Sequence, residues 1–117
     1  MSKDFFNTKD VLKRNVKLTS TQLYNHIIGP GGHLDMALDL SSIPKTVEDP
    51  DYIYESKSNN QWDLYFRFGI YKVINNKYIK VVVDHTNPSM GNVITSFIVN
   101  TVSGDLGRLR YDKSTGI

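Results

Sequence analysis

Proton transfer near neutral pH calls for histidine before any other side chain, because its unperturbed pKa is about 6.5. The sequence holds three, His26, His33 and His85. His26 and His33 bracket the run Gly29-Pro30-Gly31-Gly32, so one short segment can bring two imidazoles toward a common pocket. A second grouping is Thr95-Ser96, two hydroxyls inside an otherwise apolar stretch from Val93 to Val99. Buried hydroxyls need partners, and they find them either in neighbouring backbone or in a phosphate or oxyanion seated on the strand.

Other chemistries are poorly served. The chain has no cysteine, which removes disulfides, thiolate catalysis, Cys-ligated zinc and iron–sulfur clusters together. The seven-residue spacing of His26 and His33 spans a helix break, and no second compact ligand pair accompanies it, so no metal site is expected. Gly29-Pro30-Gly31-Gly32 lacks the Gly-Lys-Ser/Thr ending of a phosphate loop and reads as a sharp corner. No Gly-x-Ser-x-Gly elbow presents a serine nucleophile. No cofactor is implied.

The elements that must position these residues fall into two halves. Thr19 or Ser20 can accept free amide hydrogens and start a short helix through Gln22, Leu23, Tyr24, His26 and Ile27, which Gly29-Pro30 must end. A second helix, about 33–40, carries Leu34, Ala37, Leu38 and Leu40 on one stripe, and Ser41-Ser42-Ile43-Pro44 closes it. From Tyr52 onward the period changes from 3.6 to 2. In 62–71, Trp62, Leu64, Phe66, Phe68 and Ile70 alternate with Asp63, Tyr65, Arg67, Gly69 and Tyr71, so the first set is expected to face the core and the second to face solvent or ligand. A tight hairpin is expected at 73–78, then strands over Tyr78–Asp84 and Val93–Val99, apolar on both faces and therefore central, and a short one at Leu109–Tyr111. These elements make an α+β fold, two N-terminal helices packed on a four- to five-stranded antiparallel β-sheet, in one domain spanning 1–117.

Charge is segregated along the chain. The net +2 conceals +3 over residues 1–20, −5 over 21–56, +3 over 57–84 and +1 over the remainder. If the N-terminal segment lies beside the later strands, the two make a positive face able to hold a few phosphates. The longest stretch without Asp, Glu, Lys or Arg, Leu18 to Leu34, is broken by Asn25, His26 and the glycine run, so no membrane span is expected. Met1-Ser2-Lys3-Asp4 has no apolar signal core, and a cytoplasmic location is expected.

The order Leu18-Thr19, His26-Ile27, His33-Leu34, Ile43, Val47, Asp49-Pro50-Asp51, Ile53, then strands, then Val93-Ile94-Thr95-Ser96-Phe97, resembles the phage-associated nuclease domains of the barnase, EndoU, colicin-toxin and RelE superfamily. The resemblance covers a core of about 16–100, between a basic N-terminal segment (1–15) and a C-terminal strand and tail (101–117). In this chain the insertion Gly29–Gly32 widens the histidine spacing, and Gly32 stands where a basic residue commonly precedes the second histidine. The resemblance implies metal-independent endoribonuclease activity of toxin or prophage type, with RNA as substrate and a cognate antitoxin or immunity protein as a further partner. The implied reaction is 2′-OH attack on the adjacent phosphate, a step that needs an acid, a base and donors to the charged phosphorane. His33 then acts as the main acid or base and His26 as its partner. Thr95 and Ser96 donate on the phosphate side, Arg67 and Lys80 neutralise charge, and Tyr65 stacks on a base. A non-catalytic RNA- or protein-binding module on the same fold is the other reading.

Overall fold

The computed structural model describes residues 3–27, 40–70 and 75–116. Asn15-Val16-Lys17-Leu18-Thr19 alternates polar and apolar side chains, the pattern of a half-buried strand. It forms β2 (Asn15–Thr19), paired in an antiparallel hairpin with β1 (Asp4–Lys9). Asp10 makes the turn: its Oδ1 accepts the backbone N–H of Leu12 at 3.0 Å and of Arg14 at 2.8 Å, while Lys13 takes the left-handed φ of 69° that closes it. Thr19 then caps a helical turn, its Oγ1 accepting the Gln22 N–H at 3.1 Å. The resulting α1 (Ser20–Gln22) widens at once into a π-helical turn, Leu23–Ile27, whose Leu23 and Ile27 are buried.

α2 (Ser42–Glu48) buries Ile43 and Val47, four residues apart on one face, and Thr46 Oγ1 donates to Ser42 O at 2.7 Å. Pro44 lies in its first turn, where no amide hydrogen is needed, so the residue expected to end a helix helps to begin one. Five further strands follow among the described residues: β3 (Tyr52–Ser56), β4 (Trp62–Ile70), β5 (Asn75–Asp84), β6 (Gly91–Val99) and β7 (Leu106–Asp112). All seven strands join one sheet in the order β1-β2-β6-β5-β4-β3-β7. Neighbours are antiparallel except β2 and β6, which run parallel. β5, with its Val81-Val82-Val83 run, is the middle strand.

The expected α+β fold is therefore corrected. The protein is mostly β, with a seven-stranded mixed sheet and two short helices among the described residues, in place of two N-terminal helices on a four- to five-stranded antiparallel sheet. The cause lies in residues 4–19: the segment 1–15, read as a basic lead-in, supplies β1 and the start of β2, and Val16 and Leu18 just beyond it are wholly buried. The second expected helix, 33–40, lies outside the described residues apart from Leu40.

Both faces of the sheet carry apolar side chains, but unequally. The larger cluster joins Val16, Leu18, Ile53, Tyr65, Val81 and Val83 to Ile43 and Val47 of α2 and to Leu23 and Ile27 of the π-helical turn. The smaller one, Leu64, Phe66 and Val82 with Tyr52, Tyr54 and Tyr78 around it, lies on the opposite face, which no described helix covers. The β4 alternation is thus as expected, with Leu64 and Phe66 buried, but the other side is buried as well: Tyr65 joins the main core and Asp63 is buried beside it, while Phe68, expected in the core, is exposed. Among the described residues, no helix is long and apolar enough to cross a membrane.

Candidate functional site

On the helix-covered face, charged and polar side chains from several strands and one turn meet at one end of the sheet. Asp10, in the β1–β2 turn, is buried, and its Oδ2 accepts Arg14 Nε at 2.9 Å and the Tyr65 hydroxyl at 2.6 Å. Arg14 Nη2 reaches Tyr65 Oη at 3.0 Å and Asp63 Oδ2 at 2.8 Å. Asp63 Oδ1 accepts Arg110 Nε at 2.8 Å, and Arg110 Nη2 donates to Glu55 Oε1 at 2.9 Å, which also pairs with Arg108 at 3.3 Å. Acids and arginines thus alternate across β4, β3 and β7, and each charge is met by an opposite one.

His85, just after β5, closes this network, its Nε2 lying 2.9 Å from Tyr65 Oη. The phenol has one proton, and the carboxylate of Asp10 takes it. The phenol oxygen therefore accepts from both Arg14 and His85, which puts a proton on His85 Nε2. Burial, and then the charge of Arg14, hold this imidazole below its ordinary pKa against the opposing pull of Asp63 and Asp10. Burial likewise pushes the Tyr65 phenol up, so it stays protonated at any physiological pH. Gly91 completes the seat: a Cβ there would lie 2.6 Å from His85 Cε1 and 2.7 Å from Nδ1. Chemically this is a clasp that ties the β1–β2 hairpin to the sheet. Apart from Tyr65, its members were hidden from sequence reasoning because positions 10 and 14, 55, 63, 85, and 108 and 110 are brought together only by the sheet.

The residues singled out from sequence divide between the two faces. Ser96 pairs with Val81, and Tyr65, also opposite Val81, shares that helix-covered face. Arg67 is two residues further along β4 on the same side. Thr95 instead pairs with Val82, whose side chain belongs to the smaller cluster, and Lys80 sits on that opposite face over the rings of Phe66 and Phe97, 5.4 Å from each centroid. Burial lowers the pKa of Lys80, with Asp105 opposing. Tyr65, expected to offer its ring to a base, is wholly buried and has its hydroxyl bonded in the clasp. His26 falls in the π-helical turn, and His33 lies outside the described residues.

Two members of the helix-covered set stand apart from the clasp. Ser96 is 0% exposed and its Oγ has no hydrogen-bond partner among the described residues. Arg67 is half-buried and, among the described residues, forms no ion pair, whereas Arg14, Arg108 and Arg110 each pair with carboxylates. Lys77, opposite Gly69 on the same face, is exposed and likewise without an ion pair among the described residues. The turn carrying His26 packs on this side, where Leu23 and Ile27 join the main core, and Gln22 Nε2 donates to Ile94 O of β6. Arg67 and Lys77, without ion pairs among the described residues, give this side of the sheet positive charge that attracts a phosphate backbone. Among the described residues no group of three His, Asp or Glu side chains converges as a metal site. No family model, no curated protein and no solved structure matches this chain.

Proposed function

We propose that this protein is a metal-independent endoribonuclease of toxin or prophage type, working on the helix-covered face of the sheet. The observation that carries the reading is that Arg67, half-buried and without an ion pair among the described residues, lies on the same side as the turn bearing His26. RNA supplies its own nucleophile: a base removes the 2′-OH proton, the oxygen attacks the neighbouring phosphorus, and an acid protonates the departing 5′ oxygen, leaving a cyclic phosphate and a free 5′-OH. In this scheme His26 and His33 exchange the proton, as the resemblance implies. Arg67 balances the charge of the phosphorane, with Lys77 adding attraction for the backbone.

The test is cleavage of single-stranded RNA in EDTA, with products resolved for 2′,3′-cyclic ends. His26→Ala and His33→Ala are expected to slow cutting by about 10²–10⁴ with folding unchanged. Intact RNA under every condition with the wild type removes the proposal. One observation favours a second reading, RNA binding without cutting: Thr95, a member of the catalytic set that the resemblance implies, lies on the opposite sheet face from the turn bearing His26. Saturable RNA binding with no product would select it.

A further inference from the structure

The face turned away from α2 carries a different kind of site. Next to the end of β7 lies a cleft of about 400 Å³, lined by Tyr52, Phe68 and Tyr78 and by Asp51, Asp112 and Lys113. Phe68 and Tyr78 are cross-strand partners whose rings stand edge to face, with centroids 5.2 Å apart. Phe68 is 41% exposed, which leaves a large ring open to solvent. Each carboxylate is anchored through one oxygen. Asp51 Oδ2 accepts the Phe68 N–H at 2.6 Å, and Asp112 Oδ1 accepts the Ser114 N–H and O–H at 2.9 and 2.7 Å. The second oxygen of each has no donor among the described residues. Lys113, the cation among the described lining residues, has its charge met by Asp49 at 3.1 Å. The cleft is thus negative, and Asp112 is the first cause that raises the Tyr52 phenol above its ordinary pKa.

We propose that this cleft binds a small organic ammonium cation, its head group held against the rings of Tyr52, Phe68 and Tyr78 and its charge balanced by Asp51 and Asp112. Aromatic faces attract alkylated ammonium groups through their quadrupole, and unspent carboxylates bias the site toward a cation over a neutral ligand of the same shape. A neighbouring hollow of about 350 Å³ shares Tyr52 and Tyr78 and adds Tyr54 and Val102, which gives the alkyl body of such a ligand apolar room. The site lies on the opposite sheet face from Arg67 and Ser96 and stands independently of the nuclease reading.

The test is an NMR titration of the whole ¹⁵N-labelled protein with choline chloride, set against its uncharged isostere 3,3-dimethyl-1-butanol. Choline is expected to shift the amides of Tyr52, Phe68, Tyr78 and Ser114 saturably, with the isostere binding about tenfold or more weakly. Asp112→Asn keeps the acceptor that Ser114 uses while removing the charge, and it is expected to weaken choline several-fold. Tyr78→Ala is expected to abolish saturation. Equal binding of cation and isostere, non-saturating shifts with choline, or undiminished binding by Asp112→Asn would each overturn the proposal.

Discussion

Removing the Tyr65 hydroxyl is the sharpest probe of the clasp. Tyr65→Phe keeps a ring that is wholly buried in the main core, so packing is nearly conserved and the change isolates one oxygen. That oxygen donates to Asp10 at 2.6 Å and accepts from Arg14 at 3.0 Å and His85 at 2.9 Å. A hydrogen bond to a charged group contributes about 1.5–3 kcal/mol. Arg14 keeps both Asp10 and Asp63, so its charge stays paired, and half-buried His85 recovers part of its loss from water. The net expectation is a loss of about 2–4 kcal/mol, with the melting temperature falling by about 8–16 °C for a chain of this length. Urea titration at pH 7.5 measures it directly. A change under about 0.5 kcal/mol would contradict the clasp, because it would mean the three partners are equally well served without the phenol.

Three further outcomes rest on the same geometry. His85 has its folded pKa below the unfolded value near 6.5, so the unfolded chain binds more protons between the two; its stabilising contribution is complete above about pH 6.5 and is lost as pH falls through the folded pKa. The urea midpoint should therefore drop between pH 7.5 and 5.5, a drop that His85→Gln reduces, whereas the depressed Asp84 and Asp105 act only at lower pH. Gly91→Ala should cost about 1–3 kcal/mol and displace the His85 ring, seen as changed imidazole chemical shifts; wild-type shifts would contradict the close contact. Ser96→Ala removes a buried hydroxyl that has no partner among the described residues, so thermal stability should hold or rise, and a clear loss of stability would show that the hydroxyl is bonded within the fold.

Sequence patterning carried most of the sheet. The alternation from Trp62 located β4, the valine run marked the middle strand, and Thr19 was legible as a helix cap. Alternation says which residues share a side but not how many sides are buried, and here both faces hold apolar clusters, so β4, read with one core face, has two. The N-terminal hairpin was missed because its signal is only Val16 and Leu18 amid five basic residues, and its turn depends on the local hydrogen bonds of Asp10. Thr95 and Ser96 were grouped as joint donors although neighbours along a strand point to opposite sides, and the register separates them. The clasp has no signature in sequence because it exists only once the β1–β2 turn has been placed beside β4 and the end of β5, and β7 beside β3.

The decisive measurement is the rate at which Arg67→Ala cuts single-stranded RNA in EDTA, relative to the wild type, with folding verified by circular dichroism. The wild type is expected to leave cyclic phosphate ends, and the rate is expected to fall by about 10²–10³ on losing the guanidinium. Cleavage by Arg67→Ala at the wild-type rate would contradict the placement of the reaction on the helix-covered face.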